Sequence, residues 1–218
     1  MPLQTMSTRD ALVAEVRRQI LSGELRPGEA LTETSLAARF GVARPTVRSA
    51  LQVLESLHLA QPSPGRSLVV PVLTEADVRD LFFVRVPLEL EAVRVIVEQN
   101  RDLREARRRL GVMTALSAEA SWAERVEAHT AFHVALIEAA GSSRLNRIYP
   151  AMQEEMQLCL AQLHASYPGP EDLAREHQTL LDEISSGDLG RAQREMREHL
   201  DRAVRNLIPR LKEGPSDL

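Results

Sequence analysis

Apolar residues recur at Leu12, Val13, Val16, Ile20 and Leu21, a three- and four-residue spacing that predicts an amphipathic helix. The pattern stops at SGELRPG, where Gly23 and the Pro27-Gly28 pair break it. The next stretch, LTETSLAARFG, predicts a short helix with Thr32 as N-cap and Gly41 just past its end, where a left-handed C-cap suits glycine. VARPTVRSALQVLESLHLA then places Pro45 in a first helical turn and aligns Val47, Leu51, Leu54 and Leu57 in one buried stripe. In QPSPGRSLVVPV a Pro-Gly turn between two short extended pieces predicts a two-stranded β wing.

Beyond Pro71 the texture changes to long amphipathic segments with little Gly or Pro. The periodicity predicts helices near 74–99, 102–117, 120–140, 142–166, 170–186 and 188–211, with Pro150 as a kink or break and Pro87 as a kink or restart. Breaks at Asn100, Gly141-Ser142, Tyr167-Pro168-Gly169-Pro170 and Ser186-Gly187-Asp188 separate them, the last joining a Gly stop to an Asp N-cap. The tail KEGPSDL is polar enough to fray. The fold class is therefore mainly α, with a small β wing near the N-terminus. Residues 1–72 form one expected domain and residues 73–218 an all-helical second.

Composition narrows the setting. With 44% hydrophobic residues over 218 positions the chain can bury a real core. Cys159 is the single cysteine, so no intramolecular disulfide can form; it reads as a small buried hydrophobe, and a reducing, cytoplasmic location is expected. No apolar run reaches membrane-spanning length, so no membrane partner is expected. The net charge of −4 is unevenly spread: residues 1–72 hold eight arginines and six acids, a formal +2, which leaves −6 for the remainder. A mildly basic head on an acidic body is compatible with DNA binding by the head alone.

Two short helices around a Gly-containing turn, the second opening in arginines, form a helix-turn-helix pattern. The start of a recognition helix points its backbone N–H groups and first side chains into the major groove. Arg44 and Arg48 lie four apart on one face, suited to forking onto guanine O6 and N7, and Thr46 can reach a phosphate or a thymine methyl. Arg66, at the wing tip, can enter the minor groove, touch phosphate or stay solvated.

Histidines carry the candidate chemistry of the body. His129 and His133, in HTAFH, lie one helical turn apart. His177 and His199 each stand eleven residues from Asp188, on opposite sides of a tight turn, and so meet at one level if their helices pair antiparallel. Four converging imidazoles suit a divalent metal ion, zinc or nickel before others. The alternative is four separate polar helix residues, the role assigned to His58 and His164. A metal with open positions also admits a hydrolase or oxygenase with Glu176 as general base, although neighbours such as Glu176 and His177 point in different directions on a helix.

LSGELRPGEAL, LAARFGVARPTVRSALQVLESLHLA and PGRSLVV together resemble the winged helix-turn-helix head of the GntR family of bacterial transcription regulators, over residues 8 to 72. One departure is visible: many members read Arg-Thr-Pro-Val-Arg, whereas here Pro45 precedes Thr46, which bears on base preference more than on fold. FFVRVPLELEAV, HTAFHVALIEAAG, EHQTLLDEI with its SGD turn, and AQREMREHL resemble the FadR-type ligand-binding (FCD) domain, an antiparallel α-helical bundle, over residues 74 to 211. In metal-binding members an aspartate usually holds the first ligand position; His129 stands there, while His133, His177 and His199 match. An all-histidine set makes the site one charge more positive and softer. The resemblance implies a metal that anchors a small carboxylate effector, and it matches Arg85 to an arginine facing that cavity. An i, i+4 ion pair of Arg85 with Glu89 is the other reading. The expected protein is a non-enzymatic regulator, a repressor by commoner family behaviour, acting as a homodimer on a pseudo-palindromic operator. A purely structural metal site stays open beside it.

Overall fold

The computed structural model of the chain describes residues 6–65, 67–117, 119–162 and 170–211. They fall into two compact units whose boundary lies between Val72 and Leu73.

The first unit contains α1 (Thr8–Leu21), β1 (Ala30–Leu31), α2 (Glu33–Phe40), α3 (Arg44–Ser56), β2 (Gln61–Pro62) and β3 (Leu68–Val69). Its helices start and stop for local reasons. Ser7 caps α1 by accepting from the Asp10 amide, and Thr32 caps α2 by accepting from Ser35 N at 3.2 Å. Gly41 closes α2 at φ +64°, as its position past the helix suggests, and Pro45 occupies the first turn of α3. Leu12, Val16, Ile20, Leu36, Val47, Leu51 and Leu54 meet in the core, whereas Leu57 is only half-buried and Ala50 takes the inner position. The strands depart from the two-stranded expectation. β1 pairs antiparallel with β3 on the edge opposite β2, Ala30 facing Val69, so the wing belongs to a three-stranded sheet in the order β1-β3-β2. Two-residue β1 is too short to show an alternating pattern, which hides it in the sequence.

His58 also departs from its reading as a polar helix residue. It stands just beyond α3 at φ +58°, and Leu59 N bonds back to Leu54 O at 2.9 Å. That bond pattern is the one glycine usually serves at a helix end.

The second unit contains α4 (Glu75–Glu98), α5 (Arg104–Thr114), α6 (Trp122–Ala139), α7 (Leu145–Gln162), α8 (Pro170–Ser185) and α9 (Leu189–Leu211). Capping boxes at Thr74/Asp77 and Ser121/Glu124 start α4 and α6. Gly187 at φ +79° and Asp188, which accepts from Arg191 N at 3.0 Å, make the tight turn between α8 and α9. These two helices pack together across a three-residue turn and so run antiparallel. α4 lies against α6, α7, α8 and α9, and Phe82, Val93, Phe132, Met156, Leu180 and Met196 share the core.

Neither Pro87 nor Pro150 ends its helix, which leaves a kink and removes the restart and break from the two alternatives expected at each. Both prolines are exposed, so the carbonyl one turn back that loses its amide partner can turn to water.

Candidate metal centre and nucleic-acid interface

Three helices bring the four body histidines together. His129 and His133 on α6, His177 on α8 and His199 on α9 are all at least nine-tenths buried, and one ligand nitrogen from each lies within 4.8 Å of the others. The rings pack closely: centroids are 4.7 Å apart for His129 and His133, and 4.6 Å apart for His177 and His199. The level predicted from the Asp188 turn is thus observed.

Hydrogen bonds on the outer side of the cluster decide which nitrogens face inward. Leu173 O can only accept, so His177 carries its ring proton on Nδ1, which donates at 2.7 Å and leaves Nε2 bare. His133 Nδ1 likewise donates to Glu89 Oε2 at 2.8 Å, leaving its Nε2 bare. Glu89, buried on α4, also accepts from Tyr149 Oη at 2.5 Å and from Arg85 Nε. The two bare Nε2 atoms stand 3.2 Å apart. Facing lone pairs repel at that distance, and only a proton or a cation relieves them. Burial opposes the proton: it holds all four histidines below the ordinary imidazole range, His177 down to about 4, with Arg85 adding to the effect at each and neighbouring imidazoles adding at the other three. A cation remains. Metal–imidazole bonds of about 2.0–2.1 Å at a tetrahedral angle separate two nitrogens by about 3.3–3.4 Å, close to the spacing seen. The residues therefore fit a borderline divalent metal, with Glu89 and the Leu173 carbonyl orienting two of its ligands.

Of the two readings of Arg85, the geometry shows the ion pair with Glu89. Its Nε is engaged by Glu89, the i, i+4 pair, yet the side chain is wholly buried and its second terminal amine finds no hydrogen-bond partner among the described residues. Thr130 Oγ1 and both amide atoms of Gln153 are similarly buried and unpartnered. A small space beside His129, enclosed by Trp122, Arg125, Val126, Leu160 and Leu173, measures about 10 Å³, room for one water at most. That space by itself is too small for a metabolite. Glu176 approaches His199 Nδ1 at 3.9 Å, beyond hydrogen-bond range, and the bonds of Glu89 to His133 and Tyr149 escaped the sequence reading because each crosses a helix pair.

In the first unit, Arg44 opens α3 and Arg48 follows one turn later, each with 62% of its side chain exposed; Thr46 between them is half-buried. Ala43, the N-cap of α3, supplies no side-chain cap. Both arginines converge on Glu33, the first residue of α2. Arg48 forks onto it at 2.7 and 3.0 Å, and Arg44 approaches to 3.6 Å. Glu33 was missed because it lies fifteen residues from Arg48. Arg66 and His164 lie outside the described residues. No described helix is long and apolar enough to cross a membrane.

Comparisons agree with this architecture. Among curated proteins, the chain is 24% identical over 203 residues to the uncharacterised HTH-type transcriptional regulator YdhC of Bacillus subtilis (strain 168), covering 92% of this chain and 91% of that protein. It is 25% identical to the gluconate operon transcriptional repressor of Bacillus licheniformis, over 85% of this chain and 79% of the repressor. A solved GntR transcriptional regulator from Rhodococcus sp. RHA1 superposes with a TM-score of 0.80 at 22% identity, over 92% of this chain and 97% of that one. Residues 80–202 match the FCD domain and residues 8–70 match the bacterial regulatory proteins of the gntR family, and the chain is a DNA-binding transcriptional regulator of that family with an FCD domain, not an enzyme.

Proposed function

We propose that the protein is a metal-containing, carboxylate-responsive repressor, with Arg44, Thr46, Arg48 and Arg66 contacting operator DNA and His129, His133, His177 and His199 holding zinc or nickel. The observation that carries the metal is the pair of bare Nε2 atoms of His133 and His177 facing each other at 3.2 Å. A dication held by four neutral imidazoles keeps its full charge in a buried site, which favours an anionic partner. The unpartnered amine of Arg85 supports a small carboxylate as that anion. Repression is carried over from relatives such as the gluconate operon repressor.

Effector and operator are coupled through two arrangements of the heads, and the effector acts by preferring one. Phe83 and Val84 on α4 and Ile148 on α7, 77%, 45% and 51% exposed on two helices that touch, support a homodimer formed through the bundles. A pseudo-palindromic operator and a cytoplasmic location follow from that reading.

Metal content of untagged protein, purified without added metal, tests the proposal by mass spectrometry beside a His133→Ala, His177→Ala double variant. Near-stoichiometric metal in the parent and none in the variant is expected; metal-free parent protein refutes it. The tight enclosure beside His129 favours a second reading, a structural metal only. Chelation that lowers thermal stability without changing the response of DNA binding to a panel of small carboxylates selects that reading.

A further inference from the structure

Glu33 stands between the two α3 arginines and belongs to neither the metal centre nor the list of expected DNA contacts. It is the first residue of α2, just after the Thr32 cap, and α2 packs against α3 across the Gly41 turn. Its carboxylate takes Arg48 Nε at 2.7 Å and Arg48 Nη2 at 3.0 Å, with Arg44 Nη2 at 3.6 Å. Glu33 is 23% exposed while both arginine side chains are 62% exposed, so the carboxylate lies beneath and the guanidinium groups remain reachable.

A guanidinium has five N–H donors in a planar fork. Glu33 occupies the edge formed by Nε and one Nη2 hydrogen, so the opposite edge, both Nη1 hydrogens and the second on Nη2, stays open. That end-on edge is one of those that match guanine O6 and N7. A long side chain that would otherwise sample many rotamers is thereby held with a base-reading edge outward. The same carboxylate reduces the combined charge of the trio from +2 to +1, which weakens attraction to phosphates of any sequence.

We propose that Glu33 is a positioning residue that converts Arg48 from a general phosphate contact into a base reader, raising the discrimination of the head while lowering its affinity for unrelated DNA. The inference rests on the reading of Arg48 as a DNA contact.

The test uses the full chain as parent, Glu33→Gln, Arg48→Ala and the double variant. Bound duplexes are enriched from a randomised pool with the parent, and affinities are then measured for the enriched duplex and for one fixed unrelated duplex. Loss of a good bidentate base contact weakens discrimination by about tenfold. Glu33→Gln should lower the enriched-to-unrelated ratio by about that factor while binding the unrelated duplex more tightly, and the double variant should discriminate no worse than Arg48→Ala. Glu33→Ala, equally compatible with a helix, should repeat the pattern if the Gln variant folds poorly. A ratio lost in Arg48→Ala but kept in Glu33→Gln overturns the inference alone, as do losses that multiply in the double variant. A ratio unchanged by Arg48→Ala overturns the inference together with the assignment of Arg48 to DNA.

Discussion

Replacing Glu89 by Gln perturbs the proposed metal centre without touching any of its four histidines. The carboxylate serves three donors: Arg85 Nε and Tyr149 Oη at one oxygen, His133 Nδ1 at the other. An amide has one accepting and one donating end. Arg85 Nε, cationic and able only to donate, holds the amide oxygen at the Oε1 position, where Tyr149 Oη can also donate, so the NH₂ group meets His133 Nδ1. The imidazole answers by moving its proton to Nε2, which becomes a donor toward His177 instead of a metal ligand. Loss of such an orienting partner costs about 10–100-fold in metal affinity, about 1.4–2.7 kcal/mol. Arg85, left without its counter-charge at 1% exposure, separately destabilises the chain by about 3–5 kcal/mol. Competition with a chromophoric zinc chelator reads the first effect, and denaturant unfolding of chelator-treated protein reads the second. Metal affinity within about twofold of the parent would refute the tautomer argument, since that argument requires a penalty of at least about tenfold.

Acid should weaken the metal-free protein through the same histidines. Unfolded imidazoles take protons near pH 6.5 whereas folded His177 resists down to about 4, so the unfolded state binds more protons in that window. The stability is present above pH 6.5 and is lost as pH falls toward 4; a urea midpoint unchanged between pH 7.5 and pH 5 contradicts this. Gly41→Ala meets no atom within 4 Å but must adopt φ +64°, so denaturant unfolding should show a loss of about 1–2 kcal/mol, and no loss would remove the left-handed requirement. Phe83→Asp places a charge on the exposed apolar side chain of α4 and should shift the proposed dimer to monomer in analytical ultracentrifugation, with an unchanged dimer excluding Phe83 from the interface.

Much of the molecule was legible before any coordinates, and the reasons are local. Thr32, Gly41 and Asp188 act on backbone groups within a few residues of themselves, so their capping roles follow from position alone. Helical rise is constant, which is why equal distances of eleven residues from Asp188 placed His177 and His199 at one level. The misses and the alternatives left open were of a different kind. Pro87 and Pro150 carry a strong local signal to break a helix, yet each lies on a solvent-facing side where packing of the opposite face holds the helix together. β1 exists because β3 offers it an edge, and His58 takes a left-handed turn because buried Leu59 must return to the core.

Pattern, period and caps thus specified the helices, the recognition turn and the four histidines that could share a site. Partners separated by long stretches of chain were beyond that reach: Glu33 meets Arg48 across 15 residues, Glu89 meets His133 across 44 and Tyr149 across 60. Periodicity reports which face of an element is buried, not which element covers it, and the direction of a ring proton depends on that second choice. Packing of α4 against α6 and α7 brought Glu89 to His133, and so left two bare nitrogens facing one another.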